Sequence, residues 1–155
     1  MVLVDTNVIL DVVQDDPTWA EWSQRQLDAW SARDELAINA VIYAELSIAY
    51  TRIEELEDTV RTADLRMLEI PREALFLAGK AFLAYRKRGG TRTGVLPDFV
   101  IGAHAAVMEL PLLTREAARY RTYFPGITLL APYVGSGLYF IIRVSPIDHS
   151  TKLNH

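Results

Sequence analysis

Val2-Leu3-Val4-Asp5-Thr6-Asn7-Val8-Ile9-Leu10 sets a short apolar run against an acid and two small polar residues. Val2 to Val4 is too short and too uniformly apolar for a surface strand, so it reads as a buried strand of a parallel sheet. Asp5 then stands at its carboxyl end, which in an open α/β sheet borders the crevice where ligands bind. Thr6 or Asn7 is placed to cap a helix through Val8, Ile9, Val12 and Val13. Taken alone, an acid here is a turn or capping residue. Its meaning depends on whether other acids converge on it.

Working outward, Leu36-Ala37-Ile38 forms a second short buried strand, and Asn39 caps a helix from Ala40 to Arg52. Among Ala40, Val41, Ile42, Ala44, Leu46, Ile48 and Ala49 stands a single charge, Glu45. Such a carboxylate either faces a narrow polar side or is partly buried and needs a counter-charge, because desolvating it unpaired costs several kcal/mol. Met67-Leu68-Glu69-Ile70 is a third, weaker strand. Leu110 to Thr114 is a fourth, with Glu116 just past its end, and Ile127 to Ala131 is a fifth. Helical spacing of apolar residues marks Arg72 to about Tyr85, and Glu54 to Asp64 reads as a solvated helix. Pro97 fits a first helical position, which puts Asp98 in the first turn, where the helix dipole favours an anion. His104 reads as a core or edge histidine. Between Pro17 and Arg33, Trp19, Trp22 and Trp30 read as helix packing, with a partner surface as the alternative.

The alternation of strand and helix predicts a three-layer α/β/α sandwich on a mainly parallel sheet of four to five strands. In that arrangement Asp5, Glu116 and the start of the Asp98 helix share one rim, and Glu45 reaches it from the second crossover.

Composition sets the bounds. A chain of 155 residues, half of them hydrophobic, suits one domain with a sizeable core. We expect that domain over 1–132, with 133–155 as a C-terminal extension of unassigned role. A net charge of −4 excludes a general basic coat for nucleic acid, so a polyanion must be met by a local patch. Arg86, Lys87, Arg88 and Arg92, among Gly89, Gly90 and Gly94, are the one concentration of positive charge and make a phosphate-contacting lip. The absence of cysteine removes disulfides, thiolate metal sites and a cysteine nucleophile. With no signal-like start and no apolar run near the roughly 20 residues of a membrane span, the expectation is a soluble cytoplasmic protein.

Carboxylates gathered at one rim repel one another, by about 4 kcal/mol for two charges about 4 Å apart at an effective dielectric near 20. They persist together when some are protonated or when divalent cations sit among them. Oxygen donors without a His or Cys set favour Mg²⁺, with Mn²⁺ as the alternative, and carboxylate-held Mg²⁺ suits phosphodiester hydrolysis by an activated water. Thr6 and Thr114 are placed to orient a carboxylate or that water.

Leu3-Val4-Asp5-Thr6-Asn7, Tyr43-Ala44-Glu45-Leu46, Arg86 with Gly89-Gly90 leading into Leu96-Pro97-Asp98-Phe99, and Leu110 to Arg115 followed by Tyr123-Phe124-Pro125-Gly126 occur in order at specific spacings. In these pieces the chain resembles the PIN domain family and, within it, the VapC toxins of type II toxin–antitoxin systems. The resemblance spans Val2 to Pro132. It implies that Asp5, Glu45 and Asp98 are acidic metal-site residues, with Glu116 as a fourth in a place where the family usually has Asp. It also implies Mg²⁺-dependent endoribonuclease activity, with the basic loop gripping phosphates of the RNA substrate, a homodimer, and a VapB-type antitoxin whose C-terminal segment covers the active-site groove. The tail from Tyr133 onward has no counterpart in the family, although Leu138 to Val144 has the composition of an extra strand. The rival function is a catalytically silent PIN-like module that binds RNA or protein. A phosphatase built on Asp5 is weaker, because its second acid would fall at Asn7.

Overall fold

The computed structural model describes residues 1–94 and 96–132, together with the backbone of 141–143. The chain runs β1 (Val2–Val4), α1 (Thr6–Val13), α2 (Ala20–Ser31), β2 (Leu36–Asn39), α3 (Ala40–Ser47), α4 (Ile53–Thr62), β3 (Leu65–Leu68) and α5 (Arg72–Lys87). It continues through α6 (Pro97–Val107), β4 (Leu112–Leu113), α7 (Ala118–Arg121), β5 (Leu129–Pro132) and β6 (Ile141–Arg143). The sheet order is β3-β2-β1-β4-β5-β6. The first five strands are mutually parallel and β6 pairs antiparallel with β5. The predicted α/β/α sandwich is therefore the observed fold, with β6 added at the edge inside the stretch expected to hold an extra strand. The other residues of the 133–155 extension lie outside the described residues.

Strand order reverses at β1, which has β2 on one side and β4 on the other. That reversal opens a crevice beyond the strand ends, and the Asp5 N–H donates to Leu113 O at 2.8 Å, which sets Asp5 beside Thr114 at its lip. Every residue of β1, β2, β4 and β5 is buried, as strands covered on both faces must be.

Several element ends differ from the sequence expectation. Helix α1 is capped by Asp5 and not by Thr6 or Asn7: Asp5 is extended at ψ 148° and its carboxylate accepts from the Thr6 N–H. The helix predicted to reach Arg52 stops at Ser47, where Ile48, Ala49 and Tyr50 each donate to the carbonyl three residues back. This tightening into 3₁₀ turns accompanies an Ile48 that is 87% exposed and has no core contact to continue the helix. Strand β3 starts at Leu65, earlier than expected, because Asp64 takes a left-handed φ of 50° that ends the preceding helix and redirects the chain.

Asn39 does cap α3, accepting from the Ile42 N–H at 3.0 Å, and its amide Nδ2 lies 3.0 Å from His104 Nδ1. Burial pushes the His104 pKa down, so a neutral ring accepts that proton, and the pair fixes the helix that carries Glu45 against α6. His104 is thus the core histidine that was expected. Trp22 is buried, and Trp19 meets it edge-on with centroids 5.8 Å apart, in accord with helix packing. On α6, a Cβ at Gly102 would stand 2.4 Å from the Phe124 ring and 3.1 Å from that of Tyr120. Glycine there admits the two aromatics close to the helix, and Tyr120 thereby reaches the crevice. Among the described residues no helix is long and apolar enough to cross a membrane.

Candidate active site

Asp5 is 3% exposed. Its Oδ1 accepts from the Thr6 N–H at 2.8 Å, and its Oδ2 accepts from Thr114 Oγ1 at 2.8 Å, Tyr120 OH at 2.8 Å and Asn7 Nδ2 at 3.3 Å. The Thr114 hydroxyl also accepts from the Glu116 N–H at 3.1 Å and from Asn7 Nδ2 at 3.3 Å. The end of β1 and the end of β4 are laced together through one carboxylate.

Glu45 Oε1 accepts from Thr6 Oγ1 at 2.7 Å, which ties the third helix to the first. Asp98, in the first turn of α6 behind Pro97, stands with its Oδ1 3.5 Å from the Tyr120 hydroxyl. Phe99 locks that turn in place, with ring centroids 5.7 Å from Tyr85 and 5.2 Å from Tyr123. Asp5, Glu45 and Asp98 are thus brought together from three elements.

Glu116 joins them in a different manner. Its Oε1 pairs with Arg115 Nη1 at 3.0 Å, and its Oε2 pairs with Arg119 Nε. Arg119 Nη1 in turn lies 3.5 Å from Asp98 Oδ2. Arg115 is committed elsewhere as well: its Nε donates to both oxygens of buried Asp11, at 2.9 and 3.1 Å, and its guanidinium lies 5.7 Å from the Trp19 centroid. Ser23 Oγ completes Asp11 at 2.8 Å.

The electrostatics follow from this placement. Burial pushes the Asp5 pKa up to about 6; the donors Tyr120 and Thr114 oppose the rise and the nearby Asp98 charge adds to it. Burial likewise raises Glu45, with Asp98 adding to the rise, and it raises Asp98, with Glu116 adding. Tyr120 is held far above its ordinary range by burial and by the Asp5 and Asp98 charges, so it remains a donor. Arg115 is shared between Asp11 and Glu116, Arg119 pairs with Glu116 and Asp98, and among the described residues Asp5 and Glu45 have no ion pair.

A hard divalent cation fits this donor set. The donors are all oxygens, and burial raises Asp5, Glu45 and Asp98, with neighbouring carboxylate charge adding to each rise. As the side chains stand, no three His, Cys, Asp or Glu among the described residues are grouped closely enough to chelate an ion. Thr6, Tyr120 and Arg119 hold the carboxylates by hydrogen bonds and ion pairs in this arrangement, so ligation requires Glu45, Asp98 and Glu116 to turn from those partners.

Stability should register the Asp5 shift. Its pKa is raised in the folded state, so the fold favours the protonated form. The resulting stabilisation is full below pH 3.8 and is lost as pH rises through about 6, by up to about 1.4 kcal/mol per pH unit in that window. His104 acts in the opposite sense, because its folded pKa is lowered and stability grows as pH rises toward 6.5. The difference between wild type and Asp5→Asn isolates the acid. Urea midpoints in EDTA between pH 4 and 7.5 should show wild type losing stability relative to the variant as pH rises, and a constant gap would refute the shift.

In the basic loop, Arg86 is spent on structure, since its Nη1 donates to the carbonyls of Gly90 and Arg92, each at 3.0 Å. The Tyr85 hydroxyl accepts from the N–H groups of Thr91 and Arg92, folding the loop back onto α5. Lys87, Arg88 and Arg92 remain exposed, and Arg88 lies 5.5 Å from the Tyr123 centroid. Sequence reasoning missed Tyr120, Arg119 and Asp11. Asp11 carried a signal, a lone acid inside an apolar helix, of the same kind that marked Glu45. Tyr120 and Arg119 lie on a four-residue helix too short to show a period.

A parallel sheet with acids gathered where its strand order reverses defines an α/β protein with an acidic crevice, and comparison supplies the family. The PIN domain profile matches residues 2–125, so the chain belongs to the PIN domain family. Among solved structures, VapBC2 from Rickettsia felis bound to a DNA fragment from its promoter aligns with a TM-score of 0.64 at 17% identity, covering 84% of this chain and 98% of that one. DNA-bound VapBC from Salmonella typhimurium aligns at 0.60 and 17% identity, covering 84% and 98%. FitAcB from Neisseria gonorrhoeae aligns at 0.59 and 18% identity, covering 83% and 96%. At these identities the likeness is one of fold. No curated protein sequence matches the chain.

Proposed function

We propose that this chain is a metal-dependent endoribonuclease acting as the toxin of a type II toxin–antitoxin pair. The observation that carries the reading is the convergence of Asp5, Glu45 and Asp98, all with raised pKa, at the point where strand order reverses in a PIN fold. Asp5 and Asp98 would hold Mg²⁺ or Mn²⁺, with Glu45 directly or through water and Glu116 as a fourth donor. The bound ion supplies water activation and charge neutralisation at the phosphate.

The remaining work belongs to the chain itself. Thr114 Oγ1, Tyr120 OH and the Thr6 N–H fix the orientation of Asp5, and Thr6 Oγ1 orients Glu45. Lys87, Arg88 and Arg92, on the loop that leads into the Asp98 helix, bind phosphates flanking the cut, while Arg86 braces the loop for them. A VapB-type antitoxin as inhibitor accords with the VapBC complexes that share the fold. A homodimer and a cytoplasmic setting complete the reading.

A second reading, a silent RNA- or protein-binding module, draws on one observation: Glu116 is held by two arginines. Single-stranded RNA incubated with the purified protein separates the two. Fragments should appear with Mg²⁺ or Mn²⁺ and disappear with EDTA. Intact RNA under every divalent ion, with RNA still retained by the protein, would establish the silent module instead.

A further inference from the structure

We propose that Arg119 and a divalent cation are alternative counter-charges for Asp98 and Glu116, so that this one guanidinium sets how tightly the site takes metal. The inference rests on the metal-site reading above and adds to it a residue that no acid-counting would find. Arg119 contacts two of the four acids at once, Glu116 through Nε and Asp98 through Nη1 at 3.5 Å. A divalent ion drawn to the same oxygens would meet that guanidinium at close range and compete with it for them.

Of the two arginines at Glu116, only Arg119 is free to leave. Arg115 is pinned by Asp11, which is itself buried, and lies against Trp19. The Arg119 side chain is 53% exposed, and its side-chain polar contacts among the described residues are those to Glu116 and Asp98, so it can swing outward without opening the core. Its neighbour Tyr120 is fully buried with its hydroxyl on Asp5, which keeps the backbone of α7 in place whichever way Arg119 points. The exchange therefore needs one side chain to move and no element.

Mn²⁺ titration of the full chain, followed by electron paramagnetic resonance or calorimetry, tests this without reference to activity. Arg119→Gln should bind Mn²⁺ about tenfold more tightly than wild type, the scale set by one or two partly exposed ion pairs. Arg119→Lys keeps the positive charge and should stay close to wild type. Thermal midpoints in EDTA should show both variants folded. Equal Mn²⁺ affinity in wild type and Arg119→Gln would overturn the exchange while leaving the metal site standing. So would an Arg119→Lys as tight as Arg119→Gln, since charge would then not be the cause. Absence of saturable Mn²⁺ binding in all three proteins would overturn the metal-site reading and the exchange with it.

Discussion

Asp98→Asn is expected to lower RNA cleavage by about a thousand-fold or more, which is about 4 kcal/mol of lost transition-state stabilisation. Asparagine keeps the volume and one oxygen of Asp98 but removes the charge that a cation requires. Changes one shell further out already cost 10–100-fold in metal sites, so a ligand should exceed about that range. The folded state should hardly notice. The variant gives up a favourable charge in the first turn of α6, worth about 0.3–1 kcal/mol, and a partly exposed contact with Arg119, worth about 0.2–1 kcal/mol, and it sheds the burial cost and the Glu116 repulsion that raise the Asp98 pKa. Asp5→Asn should show the same loss of cleavage. Its stability near neutral pH should match or exceed wild type, because a carboxylate whose pKa burial has raised to about 6 is costly to keep ionised. The Thr114 and Tyr120 hydroxyls can turn to accept from the new amide. Initial rates at saturating Mg²⁺ and Mn²⁺, with circular dichroism melts of the same samples, measure both. Variants that fail to fold would make these acids structural, and folded variants that cleave at wild-type rates would remove them from the site.

Three of the acids were legible because each stands where sequence grammar is strict. Asp5 ends a run that has no option but a buried strand, Glu45 is the single charge of an apolar helix, and Asp98 follows a proline that fixes the first turn. What joins them was not legible. Glu116 sits at the expected strand end, yet its state depends on Arg115 and Arg119, and nothing in Thr114-Arg115-Glu116 tells which way either guanidinium points. Tyr120 lies 115 residues from Asp5 and bonds to it only because Gly102 lets an aromatic lie close on α6. The charge of the basic loop is plain in the sequence, but nothing there tells that Arg86 turns to its own loop carbonyls. The cap assigned to Thr6 or Asn7 belongs to Asp5, so the structural and the chemical reading of that acid hold together. The helix ends at Ser47 and Thr62 depend on exposure and on the left-handed Asp64 that follows the second, which local propensity does not encode.

Arg115→Ala should destabilise the domain by about 3 kcal/mol, near the lower end of what breaking a buried ion pair costs. The reason lies at the partner. Asp11 is 3% exposed, and without Arg115 only Ser23 Oγ would face its carboxylate, far short of what water supplied in the unfolded chain. The Arg115 side chain is 23% exposed, so solvent can enter the gap, and this keeps the loss from the top of the range. Stacking over Trp19 is lost as well, a further contribution of about 0.5–1 kcal/mol. Asp11→Asn should cost less than Arg115→Ala, because the arginine it leaves behind still reaches Glu116 and water. The double variant should then be no worse than Arg115→Ala alone, since the stranded charge is gone. Urea midpoints of the four proteins close the cycle, and additive losses would show that the two side chains do not act as a pair. In Arg115→Ala, Glu116 keeps only Arg119, so its carboxylate is free to follow that side chain away from Asp98.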